Sequence, residues 1–168
     1  MKTRAGFISN SSSSSFVVGF PLPRPTSVEE LQRLLFKGTQ SFHVYDDVVG
    51  AEQAAARVWG DFNGQVPMTL EDIAEELGQG WLDGAPSYFK IVTADWNDKA
   101  LHAQQKTEYE GQLALFVKKL IWEKIRPELN RGTQFYRFSY SDNDGAFEAA
   151  LEHGDIFANL PHIQISHH

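Results

Sequence analysis

One stretch in the second half of the chain restricts the fold more than any other. Between Lys99 and Ile125, Tyr109, Leu113, Phe116, Val117, Leu120 and Ile121 recur at three- and four-residue spacing. That period puts them on one side of an α-helix, as a wide apolar stripe that has to be covered. Leu115 and Trp122 are expected to widen the stripe, Gly111 weakens the helix, and Pro127 marks its exit. A helix of this kind is expected to be central to the core.

The flanking sequence predicts shorter elements. Gly6-Phe7-Ile8 and Phe16-Val17-Val18-Gly19-Phe20 read as two short strands around a polar loop, Ser9 to Ser15. Pro21, Pro23 and Pro25 break the second strand. Thr26 with Glu29, or Ser27 with Glu30, then makes a capping box for a helix that carries Val28, Leu31, Leu34 and Leu35 inward and stops at Gly38. A strand is expected from Ser41 to Tyr45, a helix from Ala51 to Trp59 ending at Gly60, and a turn at Asn63-Gly64. Thr69 caps a third helix with Leu70, Ile73, Ala74 and Leu77 inward, and Gly80 to Pro86 reads as loop. Gln134 to Tyr140 reads as a strand with Phe and Tyr on alternating faces, Ala146 to Glu152 as a short helix, and His162 to Ser166 as a last strand. Helices separated by non-adjacent strands point to an α+β fold. The expected architecture is one compact domain over residues 1–168, a small mixed or antiparallel sheet packed with the long helix and several shorter ones.

With 168 residues and no cysteine, stability has to come from a packed core, because disulfides and thiolate chemistry are excluded. The net charge of −7 opposes phosphate backbones and anionic membranes, so neither nucleic acid nor membrane is an expected partner. The chain has no signal-peptide h-region and no run of about 18 apolar residues. A cytoplasmic location is the expectation.

Two regions carry distinctive chemistry. In the first, Ser9, Asn10, Ser11, Ser12, Ser13, Ser14 and Ser15 each offer a side-chain hydrogen bond, with Arg4 nearby in sequence. Such a run reads as a flexible polar loop, or as a cradle in which amides, hydroxyls and Arg4 bind an oxyanion or phosphate. It is not a Walker motif, since no Gly-Lys-Ser/Thr follows. Nothing marks one serine as an activated nucleophile.

The second region is the tail. Four of six histidines, His153, His162, His167 and His168, fall in the last sixteen residues, interspersed with or close to Asp142, Asp144, Glu152 and Asp155. Imidazole and carboxylate suit a divalent metal such as zinc, manganese or iron where cysteine is missing. Asp142, Asp144, His153, His162, His167 and His168 are the candidate ligands. Simpler readings stay open: Asp142-Asn143-Asp144-Gly145 is a turn sequence, His153 suits a helix C-terminus, and His167-His168 resembles a tag remnant. An EF-hand is excluded, because Tyr140 and Leu151 occupy its first and twelfth ligand positions.

Thr69 to Gly78 looks like the first helix and turn of a helix-turn-helix. The acidic, breaker-rich Gln79 to Pro86 follows where a recognition helix is needed.

Met1-Lys2-Thr3-Arg4-Ala5-Gly6-Phe7, continuing through Ile8 and the serine run to Phe16, resembles an N-terminal motif of uncharacterised phage and bacterial proteins. The tail from Ser139 to Gly145, Glu152-His153-Gly154 and Ser166-His167-His168 is similar to endings of the same group. The resemblance implies a meaningful serine run, native terminal histidines and a phage or prophage origin, but no activity. The clustering of oxyanion donors and metal-type ligands at the two ends leaves the expectation of a phosphate-bearing or small-molecule ligand held between the serine run and the tail if the first and last strands pair, with or without a metal. Chemistry there would be metal-assisted hydrolysis or phosphoryl transfer. The alternative is a non-catalytic module that binds a host protein, with Trp59, Trp81, Trp96 and Trp122 as candidate anchors; a DNA-binding regulator ranks third.

Overall fold

The computed structural model describes residues 13–44, 47–79, 81–82, 99–142 and 146–167. Its strands are β1 (Ser13–Phe20), β2 (Ser41–Val44), β3 (Asp47–Gly50), β4 (Trp81–Leu82), β5 (Gln134–Ser141) and β6 (His162–His167). Its helices are α1 (Val28–Phe36), α2 (Ala51–Phe62), α3 (Leu70–Leu77), α4 (Lys99–Leu120), a π-helical turn at Ile121–Ile125, α5 (Arg126–Asn130) and α6 (Ala146–His153). Together they make the expected mixed α+β architecture.

An antiparallel sheet in the order β4-β6-β1-β5 organises the molecule, and β2 and β3 form a separate two-stranded hairpin. The first and last described strands do pair, with Ser13 opposite His167 and Val18 opposite His162. Helical layers cover both faces, which is why β1 is buried almost end to end instead of alternating. Phe16, Val18 and Phe20, with Tyr136, Phe138 and Tyr140, pack towards α1, α2, α6 and the 156–160 segment. Val17, Phe135, Ile163 and Ile165 pack on the other side against Ile73 and Leu77 of α3 and Leu113, Phe116, Val117 and Leu120 of α4. At Gly19 a Cβ would lie 2.6 Å from Thr133 Cγ2, so glycine is what lets β1 approach that loop.

Several expectations change. Ser13 to Ser15 do not belong to a loop: they open β1, and Ser14 and Ser15 are buried. The ladder pairs their backbone groups, and the buried Ser14 hydroxyl is satisfied by the Glu152 carboxylate and the Gln164 amide. Leu115 and Trp122 do not widen the buried stripe but are 57% and 69% exposed, because α4 and its continuation cover one sheet face and leave their far side uncovered. Gly60 does not end α2, which runs on to Phe62. Trp81-Leu82, expected as loop, adds a short strand to β6, so a strand and not a recognition helix follows α3.

Pro127 also acts differently from a simple stop. It has no N–H, and in α-helical register its ring would press on the Glu123 carbonyl. The chain widens into the π turn, where the Arg126 N–H bonds to the Ile121 carbonyl, and the helix then continues to Asn130.

Candidate functional site

Glu152, near the end of α6, is a buried carboxylate held by groups from three parts of the chain. Ser14 Oγ of β1 donates to its Oε1 at 2.9 Å, and the Asp142 backbone N–H, just past β5, donates to its Oε2 at 3.0 Å. His153 Nε2 lies 3.6 Å from the same Oε2. Gln164 of β6 completes the group, its Nε2 donating to Ser14 Oγ at 3.1 Å. A buried carboxylate is costly unless paired and hydrogen-bonded, and these contacts from neighbouring strands provide that.

One ligand atom from each of Asp142, Glu152 and His153 lies within 4.8 Å of the others. An ion bound at about 2.1 Å by each ligand would separate such atoms by roughly 3–4 Å, so a small closure suffices. Their accessibility is graded: Glu152 is buried, Asp142 half-buried and His153 exposed. The set therefore opens towards solvent on its imidazole side.

The sequence-predicted residues separate into groups. Asp142 and His153 come together, and Ser14 supports them through Glu152, a tail acid outside the candidate ligand set read from the sequence. Ser15 is buried in β1 one residue further on, and Ser13 is half-buried at its start. His167 is in register with Ser13, which is also opposite Ser141, beside Asp142. His162 begins β6, five residues and roughly 17 Å of strand from His167, so it does not join this group. Its Nδ1 faces the Leu160 carbonyl at 3.0 Å. Arg4, Ser9, Asn10, Ser11, Ser12, Asp144 and His168 lie outside the described residues.

A second polar group lies on the same sheet face and was not anticipated. Arg57 of α2 pairs with Asp61 and, through Nε at 2.9 Å, with Glu148 of α6. Its guanidinium carbon is 5.6 Å from the centre of the Tyr140 ring. The Tyr140 hydroxyl is buried and has no well-aligned hydrogen-bond partner among the described residues. Burial first, then the nearby Asp61 charge, pushes its ionisation far above the ordinary tyrosine range, with Arg57 opposing. Arg57 and Asp61, four residues apart on a helix, were the available signal, but Glu148 is distant in sequence. Across the sheet, Arg137 Nε meets the buried Glu76 Oε1 at 2.9 Å.

No protein-family model, curated protein or solved structure matches this chain. None of the described helices is long and apolar enough to cross a membrane.

Proposed function

We propose that Asp142, Glu152 and His153 hold a divalent metal, and that the metal and the serine-rich segment leading into β1 bind a phosphate-bearing small molecule. The observation that carries this is the convergence of two carboxylates and an imidazole within 4.8 Å, one of them the buried Glu152. Two oxygens and one nitrogen, without thiolate, suit manganese, zinc or ferrous iron. The described part of the serine run begins beside this group, since Ser13 pairs with Ser141, the neighbour of Asp142. If the complex turns over, the chemistry is hydrolysis or phosphoryl transfer by metal-activated water.

Metal analysis and melting of tag-free protein test this reading. Manganese or zinc at about a hundred times its Kd stabilises a single site by roughly 2.7 kcal/mol. For a chain of this length that corresponds to a rise in Tm of about 5–10 °C. The rise should shrink sharply in Asp142→Asn and His153→Ala, and inorganic phosphate should add to it only when metal is present. No stoichiometric metal and no rise would overturn the proposal.

A second reading has its own observation. Leu115 and Trp122, seven residues apart on one continuous helix, are both exposed, and the Arg126 guanidinium carbon lies 5.4 Å from the centre of the Trp122 ring. An aromatic with an arginine is the composition of a protein-binding hot spot, which suits a phage-derived module acting on a host protein. Trp59 instead packs against the core, Trp96 lies outside the described residues, and Trp81 is placed only by its backbone in β4.

A further inference from the structure

The outward side of α4, continued into the π turn, carries a regular pattern of its own. Gln104, Glu108, Gly111, Leu115, Lys118 and Trp122 are all exposed, and the steps between them are four, three, four, three and four residues. That is the spacing of a coiled-coil seam, here along about 27 Å of helix. It faces away from Leu113, Phe116, Val117 and Leu120, which α4 buries against the sheet.

Three observations bear on what covers this seam. First, its steps read the same in both directions about position 113. A second copy turned by a two-fold axis there sets Gln104 against the partner's Trp122, Glu108 against the partner's Lys118 and Gly111 against the partner's Leu115. Second, those pairs are complementary. Glu108 and Lys118 carry opposite charges, whereas in a parallel pair each would meet its own like. Leu115 is a projecting apolar side chain, and Gly111 offers it a space. Third, packing within the chain does not account for Gly111. Among the described residues a Cβ there would meet nothing within 4 Å, and its φ is not positive. Glycine weakens a helix interior relative to alanine. A second helix lying close over it supplies a reason for its presence.

We infer that the protein associates with a second copy of itself through this face, the two α4 helices antiparallel about a two-fold axis beside position 113. At the centre Leu115 of each copy sits over Gly111 of the other. Two Glu108–Lys118 ion pairs flank that contact, and Trp122 packs on the Gln104 stem at each end. Such an interface is isologous. It covers one helix per copy over about 27 Å, less than a standard stable interface, so the association is reversible with a micromolar or weaker Kd. The Asp142–Glu152–His153 group takes no part in this contact, and the Leu115–Trp122 surface receives a second copy instead of a host protein.

Sedimentation equilibrium of the tag-free full chain, from about 5 µM to about 1 mM, tests the inference. A dimer that grows with concentration is expected. Glu108→Lys and Lys118→Glu should each weaken it at least about tenfold, because each change turns two attractions into repulsions. The double variant Glu108→Lys/Lys118→Glu should return to within about threefold of wild type. Gly111→Ala should raise the Tm of dilute protein by about 2–4 °C, since the helix gains an alanine. The same change should weaken the dimer at least about tenfold, because the added methyl crowds the partner's Leu115. A chain still monomeric at about 1 mM would overturn the inference and leave the metal site untouched. A dimer indifferent to either charge change or to Gly111→Ala, or a double variant as weak as the single ones, would overturn it as well.

Discussion

Ser14 and Tyr140 both carry a buried hydroxyl on the same side of the sheet, and their environments are opposite. The Ser14 hydroxyl accepts from Gln164 and donates to Glu152, so it links β1, β6 and α6. Removing it leaves a buried carboxylate oxygen and an amide short of a partner, a loss of about 1–3 kcal/mol. Among the described residues the Tyr140 hydroxyl has no well-aligned partner to lose. Denaturant unfolding should therefore show Ser14→Ala destabilised by roughly 1–3 kcal/mol, and Tyr140→Phe unchanged or slightly more stable. A Tyr140→Phe loss as large as that of Ser14→Ala would mean that the hydroxyl is bonded after all. The hydroxyl at position 14 is visible in the sequence, but its partners are not. Glu152 lies 138 positions away and Gln164 lies 150 away.

At the scale of elements, local chemistry shapes the ends of helices. Ser27 accepts from the Glu30 N–H at 3.3 Å, and Glu30 reaches back to Thr26 N at 2.8 Å. The predicted box is thus shared between Thr26 and Ser27. On α3 the box is reciprocal, with Thr69 accepting from Asp72 N and Asp72 accepting from Thr69 N. The Thr69 hydroxyl and N–H hold the Asp72 carboxyl below its ordinary value of 3.8. A depressed carboxyl stabilises the fold when ionised, and that contribution is lost as pH falls through the folded-state pKa. In Asp72→Asn the decline of stability on acidification below about pH 4 should be shallower than in wild type. An identical acid limb in the two proteins would remove Asp72 from the account. The long helix was legible from its period, because three- and four-residue spacing is a local signal. Its π turn was not. Pro127 signals that something must change there, but packing decides whether a helix stops or widens.

For the molecule as a whole, the sheet order matters most. β6 lies between β4 and β1, so the last strand is internal to the sheet even though it lies at the end of the described chain. Its Ile163 and Ile165 are buried with Val17 and Phe135 in one half of the core. A chain cut after Pro161 would expose the β1 edge and that apolar cluster, which no short local rearrangement can cover. The truncated protein should lack a cooperative thermal transition and bind a hydrophobic dye. A sharp transition near the wild-type Tm would show that β6 is dispensable. The same pairing places Ser13 beside both Ser141 and His167, which is why groups from opposite ends of the sequence can share one neighbourhood.

By itself the sequence determined the α+β class, the long helix, the capped starts of α1 and α3, and β1, β5 and β6. These follow from periodicity and short-range hydrogen bonding, which need no knowledge of distant residues. It also singled out Asp142 and His153 as candidate ligands, through the clustering of histidines and acids in the tail. Only the tertiary structure decided that Ser13 to Ser15 are strand, that Glu152 is the hub between Ser14 and Asp142, and that His162 turns to the Leu160 carbonyl at the far end of β6. The same holds for Leu115 and Trp122 facing outward. Burial is a property of what packs against a face. For these residues the neighbours come from sheet pairing over more than a hundred positions, which no local pattern encodes.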